Sequence, residues 1–203
     1  MESVASLGWK TVSLRTIADL KTSLAAWLDR DDLTDRLGDF IRLAGQRIYR
    51  SARTPVNERI LGPATTTDSQ FELPSSLMEI RWITVDGTKL TPASGDEVIG
   101  TLGGKPQFYG RIGDQIRFYP QTNVTFFMAY YFIDSFTADT DTPVMLQVAE
   151  DAFLYGALVE ATPFLQDDSR LVVWESKYQI AMAGLKSAAG DADLATSIAI
   201  RSS

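Results

Sequence analysis

Apolar residues recur along the first third of the chain with a helical period. Leu14, Ile17, Leu20, Leu24 and Leu28 stand three or four apart, which predicts a helix over Leu14–Leu28 with one apolar face. Thr16, followed by Asp19, marks its start, and Asp29–Asp32 breaks the pattern. Leu33, Leu37, Phe40, Ile41, Ala44 and Ile48 predict a second helix over Leu33–Arg53, ended by Pro55. Its other face carries Arg36, Arg42, Arg47, Arg50 and Arg53. Residues 1–10 lack such a stripe and read as loose.

The middle of the chain changes period. Gln70–Leu73, Glu79–Val85, Thr88–Leu90, Gln107–Arg111, Gln115–Tyr119 and Val124–Ile133 are short, aromatic and β-branched, as strands are. Asp86-Gly87 and Gly113-Asp114 are tight-turn signals between neighbours. Ser94–Leu102 reads as a short helical crossing, and Gly103-Gly104-Lys105-Pro106 as a loop.

Helical spacing returns after the polar linker Ser135–Thr142. Thr142 suits a cap and Pro143 a first turn. Met145–Leu165 is apolar nearly all round, which predicts a helix buried on several sides. The last helix is predicted over Asp168–Ala189, with Leu171, Trp174, Tyr178, Ala181 and Leu185 as a narrow seam. Residues 190–203 read as a small polar tail whose apolar hooks are Leu194, Ile198 and Ile200. The fold class expected is therefore α+β: a four-helix-type bundle interrupted by an antiparallel β insertion, a small sandwich or barrel, with an extended C-terminal tail. The boundaries expected are 1–60, 61–137, 138–189 and 190–203.

Composition narrows the chemistry. At 203 residues with 45% hydrophobic and 22% charged side chains, the chain can bury a core as one domain with an insertion. It has no Cys and no His. Disulfides are excluded, and zinc, copper and iron sites lose their usual ligands. Nucleophilic systems built on His lose their base. We expect no cofactor, no metal and no catalytic residue. Residues 1–133 hold 15 acidic and 15 basic side chains, and residues 134–203 hold 11 and 4, so the net charge of -7 belongs to the last third. That balance argues against wrapping duplex DNA. Neither a signal peptide nor an apolar run long enough for a membrane span is legible, so a soluble protein made in a cytoplasm is expected.

Individual motifs are weak. Gly100–Pro106 misses the phosphate-loop spacing and has Pro106 where a hydroxyl is required. The carboxylates of Asp29–Asp35, and Asp139 with Asp141, lack the ligand alternation of a calcium loop and read as solvated loops and caps. Glu150, Asp151 and Glu160 lack the His of a carboxylate metal helix. The Arg face of the second helix suits phosphates or an acidic protein surface. An exposed face paired with the acidic last third, in the same or a neighbouring chain, accounts for it more simply. The subunit-interface residues expected are Arg36, Arg42, Arg47, Arg50, Glu150 and Glu160. The aromatics around the β region, from Trp82 to Phe132, suit a core better than a base-stacking platform beside Arg111 and Arg117.

The order of several segments carries a resemblance. Phe71-Glu72-Leu73-Pro74-Ser75-Ser76-Leu77 precedes the hairpin Val85-Asp86-Gly87-Thr88-Lys89-Leu90-Thr91-Pro92. Gly104-Lys105-Pro106-Gln107-Phe108-Tyr109, Ile116-Arg117-Phe118-Tyr119-Pro120 and Met128-Ala129-Tyr130-Tyr131-Phe132 follow. Over about residues 15–190 this order resembles the head–tail adaptor (connector) proteins of tailed bacteriophages, especially short-tailed ones. The resemblance implies a helical bundle with a β insertion and a ring, commonly dodecameric, beneath the portal of the capsid. It also implies that the β insertion faces the tail or nozzle and that the C-terminal segment docks on the portal. Leu194, Ile198, Ile200 and Arg201 are the residues expected there. Packaged double-stranded DNA would pass through the ring without specific binding. The protein would lie at the head–tail interface of the virion, and would be no enzyme. Two other readings stand beside it: a carboxylate-based cell-wall hydrolase, and a single-stranded nucleic-acid binder on the aromatic β region.

Overall fold

The computed structural model describes residues 14–93, 103–165 and 169–201, with side chains as far as Gly190. The expectations for residues 1–10 and Ser94–Leu102 lie outside the described residues. The chain divides into two compact units. One draws on both ends, Met1–Ala52 and Ser135–Ser203, and the other is Arg53–Asp134.

The helical unit holds α1 (Ile17–Leu28), α2 (Leu37–Ser51), α3 (Glu150–Ala161) and α4 (Leu171–Arg201). The Thr16–Asp19 signal is a full capping box: Thr16 Oγ1 accepts from Asp19 N–H at 3.0 Å, and Asp19 Oδ2 accepts from Thr16 N–H at 3.0 Å. Two further first-turn donors find partners in the linker, Ile17 N–H at Asp141 O and Ala18 N–H at Asp139 O, each at 3.0 Å. The polar linker thus closes the start of α1 and satisfies groups that the helix itself leaves open. Asp29 ends α1 in a left-handed conformation, and a 3-10 turn over Asp31–Arg36 leads into α2.

α3 is the centre of this unit and packs on α1, α2 and α4. Its buried residues, Ala152, Phe153, Leu154, Gly156, Ala157, Leu158 and Ala161, cover most of its circumference, as expected from its composition. Gly156 permits a close approach: a Cβ there would stand 3.2 Å from both Ala44 Cβ and Tyr178 Cε2. α3 starts later than expected. Residues 143–149 form successive turns instead, with Met145 and Leu146 fully buried and Met145 N–H donating to the Tyr49 hydroxyl at 3.4 Å. Ala149 leaves helical geometry and has no side chain to cap with, so the helix begins after it.

α4 also differs from expectation. Of the predicted seam, Trp174, Tyr178 and Ala181 are buried and Leu171 and Leu185 are half-buried, while Met182 and Ala189 are buried outside it. The helix does not end at Ala189, however. It continues through residues 190–201 to Arg201, so the extended tail is the last part of a 31-residue helix about 46 Å long. Ala, Leu and Ile in this stretch favour helix, and Gly190 is a cost that the helix tolerates.

Among the described residues, the β unit holds two four-stranded sheets. The first has the order β1 (Glu58–Thr65), β8 (Thr125–Phe132), β3 (Leu77–Val85), β4 (Thr88–Lys89). The second runs β2 (Gln70–Glu72), β7 (Gln115–Tyr119), β6 (Phe108–Ile112), β5 (Thr91–Pro92). Among the described residues every strand pairing is antiparallel except β5 with β6, which is parallel. The sheets meet through aromatic rings: Phe126 of β8 lies 5.1 Å from Phe71 of β2 and 5.0 Å from Phe118 of β7. These edge and tilted contacts are those that ring quadrupoles favour. β1 was not expected. Gly62 and Pro63 interrupt it, yet Pro is tolerated in an edge strand, and the register slips between Leu61 and Ala64 to accommodate both.

Candidate assembly surface

The arginine face of α2 is built by period alone, since the apolar stripe takes the other side. Arg36 lies over the Phe164 ring, 5.0 Å from its centroid. Arg42 pairs with Asp39 at 3.4 Å on the open surface, a contact of small energetic weight. Arg50 Nε donates to Gln46 O at 3.2 Å.

Arg47 is placed differently. Its guanidinium carbon lies 4.0 Å from the centroid of the Tyr178 ring on α4. Nη1 stands 3.3 Å from Glu160 of α3, and Nη2 stands 3.7 Å from Glu175 of α4. The second distance is electrostatic contact beyond hydrogen-bond range. Arg47 thus ties three helices, and the acidic last third supplies both of its carboxylates within the same chain. Nε and Nη2 of Arg47 are nevertheless buried without hydrogen-bond partners. Glu150 is engaged at the start of α3, where Oε2 accepts from Leu14 N–H at 3.2 Å. Of the six interface residues expected, the structure therefore brings Arg47 and Glu160 together and leaves Arg36, Arg42, Arg50 and Glu150 apart from that pair.

Beside Arg47 a cavity of about 200 Å³ opens between α2 and α4, lined by Arg47, Ser51, Tyr178, Gln179, Met182 and Lys186. Sequence reasoning missed Ser51, Gln179, Met182 and Lys186 as a group. The signal was available in register: Arg47 and Ser51 are one turn apart on α2, and Gln179, Met182 and Lys186 repeat at 3 and 4 on α4.

The remaining candidates resolve into local structure. Asp32 takes Arg30 in a bidentate pair, both contacts 2.7 Å, which holds its carboxyl below the usual range. Asp139 pairs with Lys21 at 2.6 Å. Asp141 Oδ2 accepts from the N–H groups of Thr137 and Ala138, both at 3.0 Å, and the Ala138 bond leads in lowering its pKa. Among the described residues no three acidic side chains gather as a metal would require. In the β unit, Tyr109, Phe118, Phe126, Tyr130, Tyr131 and Phe132 are buried, so the aromatic run is mostly core. Arg111 Nε is turned to Gly113 O, at 3.1 Å. Leu194, Ile198, Ile200 and Arg201 lie on the last stretch of α4. Among the described residues, no helix is long and apolar enough to cross a membrane.

No curated protein matches the sequence significantly. The family model described as SU10 adaptor protein matches residues 15–201, a span from just before α1 to the last residue of α4 that takes in both helical pairs and the whole β unit. The chain belongs to the SU10 adaptor protein family, and it is a phage adaptor.

Proposed function

We propose that the chain is a structural virion protein that forms a ring, dodecameric in the reading favoured here, beneath the portal, extends the DNA channel and attaches the tail. The observation that carries this reading is the family match over both helical pairs and the β unit between them. Charge supports it. A net charge of -7 suits a conduit through which DNA slides, because an acidic wall repels phosphate where a basic wall would hold it. Portal docking is assigned to the end of α4, with Leu194, Ile198, Ile200 and Arg201 as contacts. The neighbouring subunit is assigned to the arginine face of α2, with Arg36, Arg42, Arg47 and Arg50, and to Glu150 and Glu160. The β unit is assigned to the tail or nozzle protein. The ring performs no reaction.

Mass by multi-angle light scattering tests this, on the full chain alone and mixed with the portal protein of the same phage. A discrete complex carrying many copies of the chain per portal is expected. Removing the residues after Gly190 should abolish portal binding and leave the helical unit folded. A chain that remains a monomer with the portal present refutes the reading, and cell-wall hydrolysis and single-strand binding would then be assayed.

A further inference from the structure

We infer that the outward faces of α4 and α1 form a subunit contact: the back of α4 in one copy packs on the back of α1 in a second copy of this chain. The inference rests on the ring reading and adds an apolar contact to the charged ones assigned above.

α4 carries two series at spacings of 3 and 4. The inner one, with Trp174, Tyr178 and Ala181 buried, holds it to α3. The outer one is Val173, Ser176, Ile180, Ala183 and Ser187, all exposed and with no charge among them. Val172, Ile180 and Val173 are 76%, 65% and 56% exposed, the most exposed large apolar side chains among the described residues of the helical unit. Gly184 lies beside them, and nothing stands within 4 Å of a Cβ there. An outward helix face usually carries charge, as α2 does with Asp39, Arg42 and Arg50. The back of α4 is instead half of a helix pair.

The matching half is on the same chain. α1 turns Ala18, Thr22 and Ala26 outward, again without a charge, and Arg15 and Asp29 stand only at its ends. Thr22 Oγ1 donates to Ala18 O at 3.0 Å, so its hydroxyl is engaged within the helix and the face is less polar than its sequence. Small side chains on α1 leave room for the branched ones of α4, which lets two helices pack ridge into groove. The two backs point in different directions. Trp27 of α1 meets Tyr155, and Tyr178 of α4 stands against Gly156, positions about 100° apart around α3. The contact is therefore between copies. Its two patches differ, so it is head-to-tail, the kind that closes into rings. Charge selects the same pairing. Lys177 and Lys186 flank the outer series on α4, exposed and in no ion pair among the described residues. Two α4 backs face to face would set lysines against lysines, whereas α1 brings Asp29, also exposed and in no ion pair among the described residues.

Paired charges test this on the full chain, by sedimentation velocity alone and on the portal. Ile180→Glu and Thr22→Lys should each weaken subunit association about tenfold or more, because each sets a lone charge in an uncharged contact. Both in one chain should restore it, since each charge then meets its opposite in the next copy. Both positions are exposed, and circular dichroism of each variant confirms folding. The chain has no Cys, so a mixture of Ile180→Cys and Thr22→Cys chains provides a second reading: a short bismaleimide should join one of each. Assembly that neither charge changes, a pair that fails to restore it, or no mixed crosslink in the assembled ring overturns the inference and leaves the ring reading standing. Ile180→Cys chains joined to one another would show α4 paired with α4, and overturn it too. So would intact association with portal binding lost, which gives the back of α4 to the portal. A wild-type chain that never associates, even on the portal, removes the ring reading and this contact with it.

Discussion

Gly45 lies in α2 where Phe136 leaves no room for a methyl group. A Cβ at this position would stand 2.8 Å from Phe136 Cζ, 2.9 Å from Cε1 and 3.2 Å from Cε2. The ring has little freedom to retreat, because Phe136 is buried against Tyr49 at 5.7 Å and Phe153 at 6.1 Å. Two terms compete in Gly45→Ala. Helix propensity favours Ala by about 1 kcal/mol. Overpacking a filled core costs about 1–3 kcal/mol. The expected net is a loss of about 0–2 kcal/mol, with the sign set by packing. Gly184→Ala is the control, since nothing lies within 4 Å of a Cβ there and the position is an exposed interior turn of α4. It should stabilise by about 0.5–1 kcal/mol. Urea unfolding followed by far-ultraviolet circular dichroism, which tracks the helical unit, gives both values by linear extrapolation. The double mutant Gly45→Ala, Phe136→Leu completes a cycle that subtracts the intrinsic cost of the Leu substitution. A coupling of about 1–3 kcal/mol is expected, equal to the overpacking relieved. If Gly45→Ala stabilises as much as Gly184→Ala in both backgrounds, Phe136 does not pack against α2 and the core described here is wrong.

Two further predictions concern the same unit. Trp174, 2% exposed, is the largest side chain that α4 buries, so Trp174→Ala should cost about 3–5 kcal/mol in urea unfolding; an effect under about 1 kcal/mol would detach α4 from the core. Asp19 is held below the usual carboxylate range first by the Thr16 side chain and then by backbone N–H groups, and Asp141 first by Ala138 N–H and then by the Ser135 side chain. A folded pKa below the unfolded one means that this stability is present above about pH 4 and is lost as pH falls through the folded value. Thermal midpoints of Asp19→Asn and Asp141→Asn should therefore lie below wild type at neutral pH and converge on it in acid; parallel curves would refute these hydrogen bonds.

Much of the helical unit was legible because its signals are local. The 3-and-4 spacing from Ile17 to Leu28, and the Thr16–Asp19 box, each require only neighbouring residues, and α1 follows them closely. Strand existence was legible for the same reason in β2, β3, β4, β6, β7 and β8, whereas the two-residue β5 was not expected. β1 was hidden because Gly62 and Pro63 are breakers in any local reading. What rescues it is a distant partner, β8, which pairs with residues on both sides of the interruption. The late start of α3 has a similar cause. Met145 and Leu146 are adjacent in sequence and both fully buried, and the turns that bury them depend on Tyr49, which comes far earlier in the chain.

The candidate site separates along the same line. Period places Arg47 on the polar face of α2 beside Arg36, Arg42 and Arg50, and nothing in that stripe distinguishes the four. What sets Arg47 apart is the crossing of α3 and α4 over its position, which brings Glu160, Glu175 and Tyr178 to one guanidinium. A charge pattern reports which faces are polar, but only packing decides which cation is covered. Burial also changes what the cation requires: an exposed Arg is satisfied by water, whereas the guanidinium of Arg47 relies on Glu160, Glu175 and the Tyr178 ring in place of water. The cation most dependent on its neighbours is thus the one whose role the face alone concealed.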